Sequence, residues 1–307
     1  MLQVLIDPMF VSSKSLLVKA RKKHYALPAF NTSNLEVTQA LFEAAQENKC
    51  PLIIQTTESA IRYAGLENLF SMITTMEKTA KVPVAIHLDH GRDIKLLKKC
   101  LAMGYKSVMI DASKYSFEKN VSITKSIVKI AHKKKASVEA EIGVLGRMGK
   151  AELTDPRQAK LFVEQTGCDA LAVAIGTSHG AHKFEGKPNI DLQRLEEISE
   201  LVKIPLVMHG SSSVPKKIVN KANIFGARIK QAKGVSEKQL KKAITLGVAK
   251  INIDTDLRLA FTASLREHLN KSPEHFDPRK YLASSREGVK EIVAEKMALF
   301  GCRGKAR

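Results

Sequence analysis

The chain contains no tryptophan, and aromatic residues make up only 5% of its 307 positions. One common anchor of interfaces and of sugar-stacking platforms is therefore missing. Its four cysteines, Cys50, Cys100, Cys168 and Cys302, stand far apart. None forms a Cys-x-x-Cys pair, which excludes a zinc knuckle and a thioredoxin-like redox motif. No apolar run approaches the ~18 residues of a membrane span, so no membrane role is expected. No leader peptide is recognisable either, and a reducing, cytoplasmic setting is the expectation. Low-complexity tracts, short internal repeats and a polybasic tail are also absent.

Hydrophobic residues account for 44% and charged residues for 26%, the composition of a soluble globular protein. Lys plus Arg number 50 against 31 Asp plus Glu, a net charge of +19. Such a surplus favours anionic partners: phosphorylated metabolites, nucleic acid or an acidic membrane surface. The basic residues are dispersed, as in Lys19–Lys23, Lys95–Lys99, Lys133–Lys135 and Lys216-Lys217, and read first as a solvated basic surface.

The organisation is alternation. Short β-rich runs at Tyr25–Phe30, Pro51–Gln55, Val82–Leu88, Ser107–Ile110, Ser137–Glu141, Ala170–Ile175, Pro205–Met208 and Ala249–Ile253 are eight candidate strands. Amphipathic stretches separate them. Asn34–Asn48 places Leu35, Val37, Leu41, Phe42 and Ala45 close to a 3.6 period. Ser116–Lys133, Pro156–Gln165, Asp191–Val202 and Val214–Lys221 follow, with Ser116 and Asp155 as helix starts and Pro156 in a first turn. Eight β–α units without a composition break predict an α/β fold, one closed (β/α)8 TIM barrel. A doubly wound sheet is the competitor, but the first strand ends in Phe30-Asn31-Thr32 and carries no glycine-rich dinucleotide turn. The barrel is expected over about residues 16–270. A helical extension (271–307) would follow, giving a single domain over 1–307 whose C-terminal helices pack or dimerise. Gly143–Asp155 and Asn223–Gly234 read as loops near the catalytic face.

In a parallel barrel, chemistry sits where strands end. Strand three ends His87-Leu88-Asp89-His90-Gly91, strand four Ile110-Asp111 and strand five Glu139-Ala140-Glu141. Strand six runs into Gly176-Thr177-Ser178-His179-Gly180, strand seven into His209-Gly210-Ser211-Ser212 and strand eight into Asn252-Ile253-Asp254-Thr255. His90, His179 and His209 terminate separate strands, and each precedes a glycine. Three imidazoles with an open fourth position are the ligand set of a catalytic zinc ion. His87 sits deeper and reads as structural, while His24, His132, His268 and His275 read as surface residues. Asp89 adjoins a proposed ligand, where a carboxylate relays a proton or orients a histidine. Gly180, Gly210, Ser211 and Ser212 offer backbone N–H groups and hydroxyls for a phosphate, with Asn252, Asp254 and Thr255 facing the same region. No lysine lies inside strand six, and Lys250 is placed at the N-terminal end of strand eight, so a metal is preferred over a lysine Schiff base as electron sink.

With these motifs in order, the chain resembles the class II, zinc-dependent fructose-1,6-bisphosphate aldolases of the shorter branch, which also contains tagatose-bisphosphate aldolases. The likeness runs from about Leu16 to Phe300. It is carried by Val84–Gly91, Val138–Gly143, Ala174–Gly180, His209–Ser212 and Ile251–Arg258. The resemblance implies zinc on His90, His179 and His209, with Asp89 as the acid/base at the C4 hydroxyl. It places a second divalent metal near Asp111 and Glu141 and a monovalent cation (Na+ or K+) near the phosphate turns. It assigns Gly180, Gly210–Ser212, Asn252–Thr255 and Lys183 to dihydroxyacetone phosphate, and Arg258 to the distal phosphate. It implies reversible cleavage of fructose 1,6-bisphosphate in glycolysis and gluconeogenesis, by a homodimer or homotetramer. Tagatose bisphosphate, or another ketose phosphate, is the alternative substrate. A basic barrel that only bound anions or nucleic acid would have no need of the histidine set. Three departures from the family pattern stand out: a short, basic loop after Glu141 in which Glu152 is the sole carboxylate before Asp155, Thr57 in place of a substrate-contacting serine, and Ser211 in place of alanine.

Overall fold

The computed structural model describes residues 10–143, 152–177, 190–230 and 232–306. Eight parallel strands close into a barrel in chain order: β1 (Leu27–Asn31), β2 (Leu52–Thr57), β3 (Val84–Gly91), β4 (Ser107–Ile110), β5 (Ser137–Ile142), β6 (Ala170–Val173), β7 (Leu206–Met208) and β8 (Val248–Ile253). Closure is completed by β1 pairing with β8, Leu27 opposite Lys250. Almost every strand residue is buried, because the barrel interior covers one face and helices the other.

The helices are α1 (Ser13–Lys22), α2 (Leu35–Glu47), α3 (Glu58–Ala64), α4 (Leu66–Glu77), α5 (Ile94–Met103), α6 (Phe117–Lys133), α7 (Pro156–Thr166), α8 (Leu192–Leu201), α9 (Lys216–Ile224), α10 (Glu237–Thr245), α11 (Thr255–Lys271) and α12 (Pro278–Leu299). Most begin at a side-chain cap. Asn34, Asp93, Ser116, Asp155, Asp191, Ser236 and Asp277 each accept a backbone N–H from the first turn. Five helices, α1, α3, α4, α5 and α10, were not foreseen from periodicity. Asn223–Gly234 is only partly a loop, since α9 runs on to Ile224. Lys250 also departs from expectation. β8 begins at Val248, so Lys250 is its third residue, fully buried within the barrel.

After α11, the chain turns back and α12 packs on α2 and α11. Arg286 bonds to Glu43 and Gln39, and Lys290 pairs with Glu47. Thus the C-terminal helix rests on the first β–α unit and clamps the seam where the barrel closes.

Candidate active site

The C-terminal rim of β3 carries a local irregularity. The β3–β4 register shifts between Leu88 and Gly91, and His90 takes φ +48°. A regular strand would send Asp89 and His90 to opposite faces. The bulge turns both inward, the re-aiming for which bulges beside active sites are known. Only glycine fits at position 91, where a Cβ would lie 2.6 Å from the Met109 carbonyl oxygen. Ligand atoms of Asp89, His90 and His209 therefore lie within 4.8 Å of one another, and so do those of His90, Asp111 and Glu141. The rings of His90 and His209 meet edge-on at 4.5 Å.

Asp89 is buried, with both carboxylate oxygens pinned. Asn31 Nδ2 donates to Oδ2 and Asn252 Nδ2 to Oδ1, each at 2.9 Å. Gln55 Nε2 in turn holds Asn31 Oδ1 at 2.8 Å, from the position opposite it in the β1–β2 register. Burial pushes the carboxyl up, but the positive charge of His90, Lys250 and His209 and the Asn31 bond outweigh it and bring its pKa to about 2. Asp89 is thus ionised at neutral pH, a base with fixed geometry.

Beneath it runs a chain of charged groups. His209 Nε2 and Glu139 Oε1 are 2.8 Å apart. Lys250 Nζ lies 2.9 Å from Glu139 Oε2 and donates to Asn252 Oδ1 at 2.8 Å. Burial opposes a charged His209, but Glu139 and Glu141 prevail and raise its pKa to about 10. The pocket therefore stabilises positive charge at this imidazole. His87 contrasts with it: burial first and Lys250 second lower its pKa to about 3, so it stays neutral, with Nδ1 2.7 Å from Ser107 Oγ. Arg92 brackets Asp111 through Nε at 2.8 Å and Nη2 at 2.6 Å. Burial would raise the Asp111 pKa, but bonds to His90, Ser113 and Arg92 drive it well below the usual carboxylate range.

The donor set suits a divalent cation. Asp89, His90 and His209 form one group and His90, Asp111 and Glu141 a second, both mixed N/O sets of the kind that ligate zinc. His209 Nδ1 and Glu141 Oε2 are buried 3.3 Å apart and neither makes a hydrogen bond among the described residues. Apart from this mutual contact the two atoms have no partner among the described residues, an arrangement that suits a shared ligand. The third expected ligand, His179, lies outside the described residues, as do Gly180 and Lys183.

The remaining expected residues are dispersed. A cavity of about 500 Å³ opens past Asn31, lined by Thr57, Tyr63, Asp254, Arg258 and Phe261 among others. Thr57 Oγ1 caps α3 by accepting the Ala60 N–H at 3.1 Å. Arg258 is 73% exposed and paired with Asp254 at 2.8 Å, on the cavity wall. Asn252 and Thr255 flank Asp254 at the β8–α11 junction. In the turn after β7, Gly210 has φ +59°, and Ser211 and Ser212 are buried. Ser211 Oγ donates to the His209 carbonyl at 2.9 Å, so this hydroxyl orders the turn itself. Glu152 is exposed, and its carbonyl oxygen packs on Gly143 (φ +82°), where a Cβ would lie 2.8 Å away.

Sequence reasoning named Glu139, Lys250, Asn31 and Gln55 without giving them a role in the site, and did not name Arg92. The available signal was polarity inside otherwise apolar strands: Lys250 and Asn252 alternate in Val248–Ile253, and Glu139 and Glu141 in Ser137–Ile142.

Comparison with known proteins identifies the family and the fold. Residues 11–305 match the family model for fructose-bisphosphate aldolase class-II. A fructose-bisphosphate aldolase of Thermus caldophilus is 49% identical over 97% of this chain and 100% of its own. That of Giardia intestinalis is 44% identical over 95% of this chain and 93% of its own. The YdjI aldolase of Escherichia coli K12 superposes with a TM-score of 0.81 at 33% identity, covering 97% of this chain and 100% of that one. With a full-length family match, relatives near half identity and a shared barrel, the chain belongs to the class-II fructose-bisphosphate aldolase family.

Proposed function

We propose that this protein cleaves fructose 1,6-bisphosphate reversibly to dihydroxyacetone phosphate and glyceraldehyde 3-phosphate, with a bound zinc ion. The observation that carries this reading is Asp89: a buried carboxylate, pinned through both oxygens, within 4.8 Å of ligand atoms on His90 and His209. His90 and His209, with His179, would hold the metal, which when bound supplies Lewis-acid stabilisation for the charge left on C3 as the C3–C4 bond breaks. Asp89 takes the C4 hydroxyl proton, the step that lets the aldehyde leave. Glu139 fixes the ring of His209 through Nε2, leaving Nδ1 directed at Glu141. Lys250 is committed to Glu139 and Asn252, which supports a metal rather than an imine as electron sink. Gly180, Lys183, the Gly210–Ser212 turn and Asn252–Thr255 are assigned to the triose phosphate, and Arg258 with Thr57 to the other end of the sugar along the cavity. Asp111 and Glu141, with His90, form a candidate second divalent site.

The test is cleavage of fructose 1,6-bisphosphate beside tagatose 1,6-bisphosphate, before and after EDTA, with zinc restored. Loss with EDTA, recovery with zinc and preference for fructose are expected. Preference for tagatose would transfer the same mechanism to the other sugar. No cleavage of either by zinc-loaded protein would overturn the proposal.

A further inference from the structure

A second buried ion pair lies away from the metal-ligand cluster. Lys296 of α12 and Asp256 of α11 are 2% and 0% exposed, with Nζ 2.9 Å from Oδ2. Asp256 is the clasp of the turn after β7. Its Oδ1 accepts the Val214 N–H at 2.9 Å and its Oδ2 the Ser213 N–H at 3.1 Å. Lys296 Nζ also donates to Ser213 Oγ. The turn needs this hold. Val214, a β-branched residue, sits at φ +48°, a conformation such residues rarely adopt. The opposite side is closed by Gly234, where a Cβ would lie 2.3 Å from the Ser212 carbonyl oxygen, and by the Val235 N–H, which donates to that oxygen at 3.2 Å.

A carboxylate is the strongest acceptor for two adjacent N–H groups. Its charge is also the wrong one beside a phosphate dianion. Low local dielectric makes that conflict severe, and a lysine at ion-pair distance removes it. We infer that Lys296 is a positioning residue for phosphate binding: it cancels the charge of Asp256, so that the Ser211–Val214 turn keeps its shape and still accepts a phosphate. The inference rests on the reading that Gly210–Ser212, which leads into Ser213 and Val214, receives the phosphate of the substrate. It makes the C-terminal helix a working part of the site, since α12 supplies the cation and no barrel strand does.

The test uses the full chain, loaded with zinc, and inorganic phosphate as probe. Phosphate affinity is read by calorimetry, KM and kcat from fructose 1,6-bisphosphate cleavage, and zinc by metal analysis. Lys296→Gln is expected to weaken phosphate binding and raise KM by at least about tenfold, the scale of one lost charge–charge interaction. Zinc content should be unchanged and kcat should change less than KM. Lys296→Arg keeps the charge and should recover most of the loss. Lys296→Gln/Asp256→Asn removes the uncancelled carboxylate and should bind phosphate more tightly than Lys296→Gln alone. Where the glutamine variant does not fold, Lys296→Met, which fills the same volume, repeats the measurement. Wild-type phosphate affinity and KM in a folded neutral variant would overturn the inference, as would a double variant no better than the single one. A wild-type chain that binds phosphate but cleaves neither sugar would sink the proposed reaction alone and leave calorimetry to decide the role of Lys296. A wild-type chain that binds no phosphate would count against both.

Discussion

The two ends of the barrel are built from the same kinds of residue to opposite effect. At the N-terminal end, Ser13 of α1 sits 2.7 Å from Ser107 Oγ and 2.9 Å from Ser137 Oγ, the first residues of β4 and β5. Asp169, just before β6, accepts the Val138 N–H at 2.8 Å, with His132 at 2.8 Å and Lys14 at 2.8 Å. Every one of these groups has a partner within the chain. At the C-terminal end, buried atoms of His209 and Glu141 face each other without a hydrogen bond among the described residues, and a left-handed His90 is held in a bulge. A closed circuit of polar groups stabilises the fold, whereas an open one stores a demand that a ligand meets. The difference teaches where to look for function in a barrel whose ends are both polar.

The comparison can be broken by single substitutions. Asp89→Asn should lower kcat for cleavage by about 10²–10⁴-fold, the usual contribution of a positioned proton-transfer group. Bound zinc should stay close to wild type, while the melting temperature should fall somewhat, because an asparagine cannot accept from both Asn31 and Asn252. Near wild-type turnover would remove Asp89 from the chemistry and blur the contrast. At the other end, Asp169→Asn should leave KM and kcat nearly intact and lower unfolding free energy by about 1–3 kcal/mol, the scale of hydrogen bonds to a charged group. Its pH dependence sharpens the point. Burial opposes the charged Asp169, but Lys14, His132 and the Val138 N–H lower its pKa below the ordinary value. A lowered native pKa contributes stability above about pH 4 that is lost as pH falls through the native value. The deficit of Asp169→Asn, followed by urea unfolding, should therefore be largest at neutral pH and shrink in acid. The smallest effect is expected for Ser13→Ala, about 1 kcal/mol in the same assay with activity unchanged. An activity loss there, without a stability loss, would mean that the basal circuit is coupled to the rim through His87, which touches Ser107 below and lies 3.9 Å from Glu139 above.

Much of this molecule is legible in its sequence. Each expected strand overlaps an observed one, and Ser107–Ile110 coincides with β4, because burial on both faces writes a continuous apolar run between polar turns. The long helices are legible for the same reason, through their period and caps, as in Phe117–Lys133 behind Ser116. A short helix such as α3 carries too few turns for a period to emerge. The rim residues could be named because a parallel barrel sends all strand ends to one face. Their partners could not. Lys250 reads as a residue at a strand edge, yet it is the buried counter-ion of Glu139. Nothing in the sequence sets Lys296 apart from the other basic residues, yet it is almost wholly buried against Asp256.

By itself, then, the amino-acid order determined the alternation of strands and helices, the closed parallel sheet and the rim on which chemistry collects. Those properties follow from local hydrophobic period and from chain direction, and both are written in consecutive residues. Only the tertiary structure decided that His90 turns inward beside Asp89, that Glu139 meets His209 and Lys250, and that α12 returns a lysine to the turn after β7. Each depends on barrel closure, a register shift or the docking of a helix, and ionic pairing follows distance in space rather than separation along the chain.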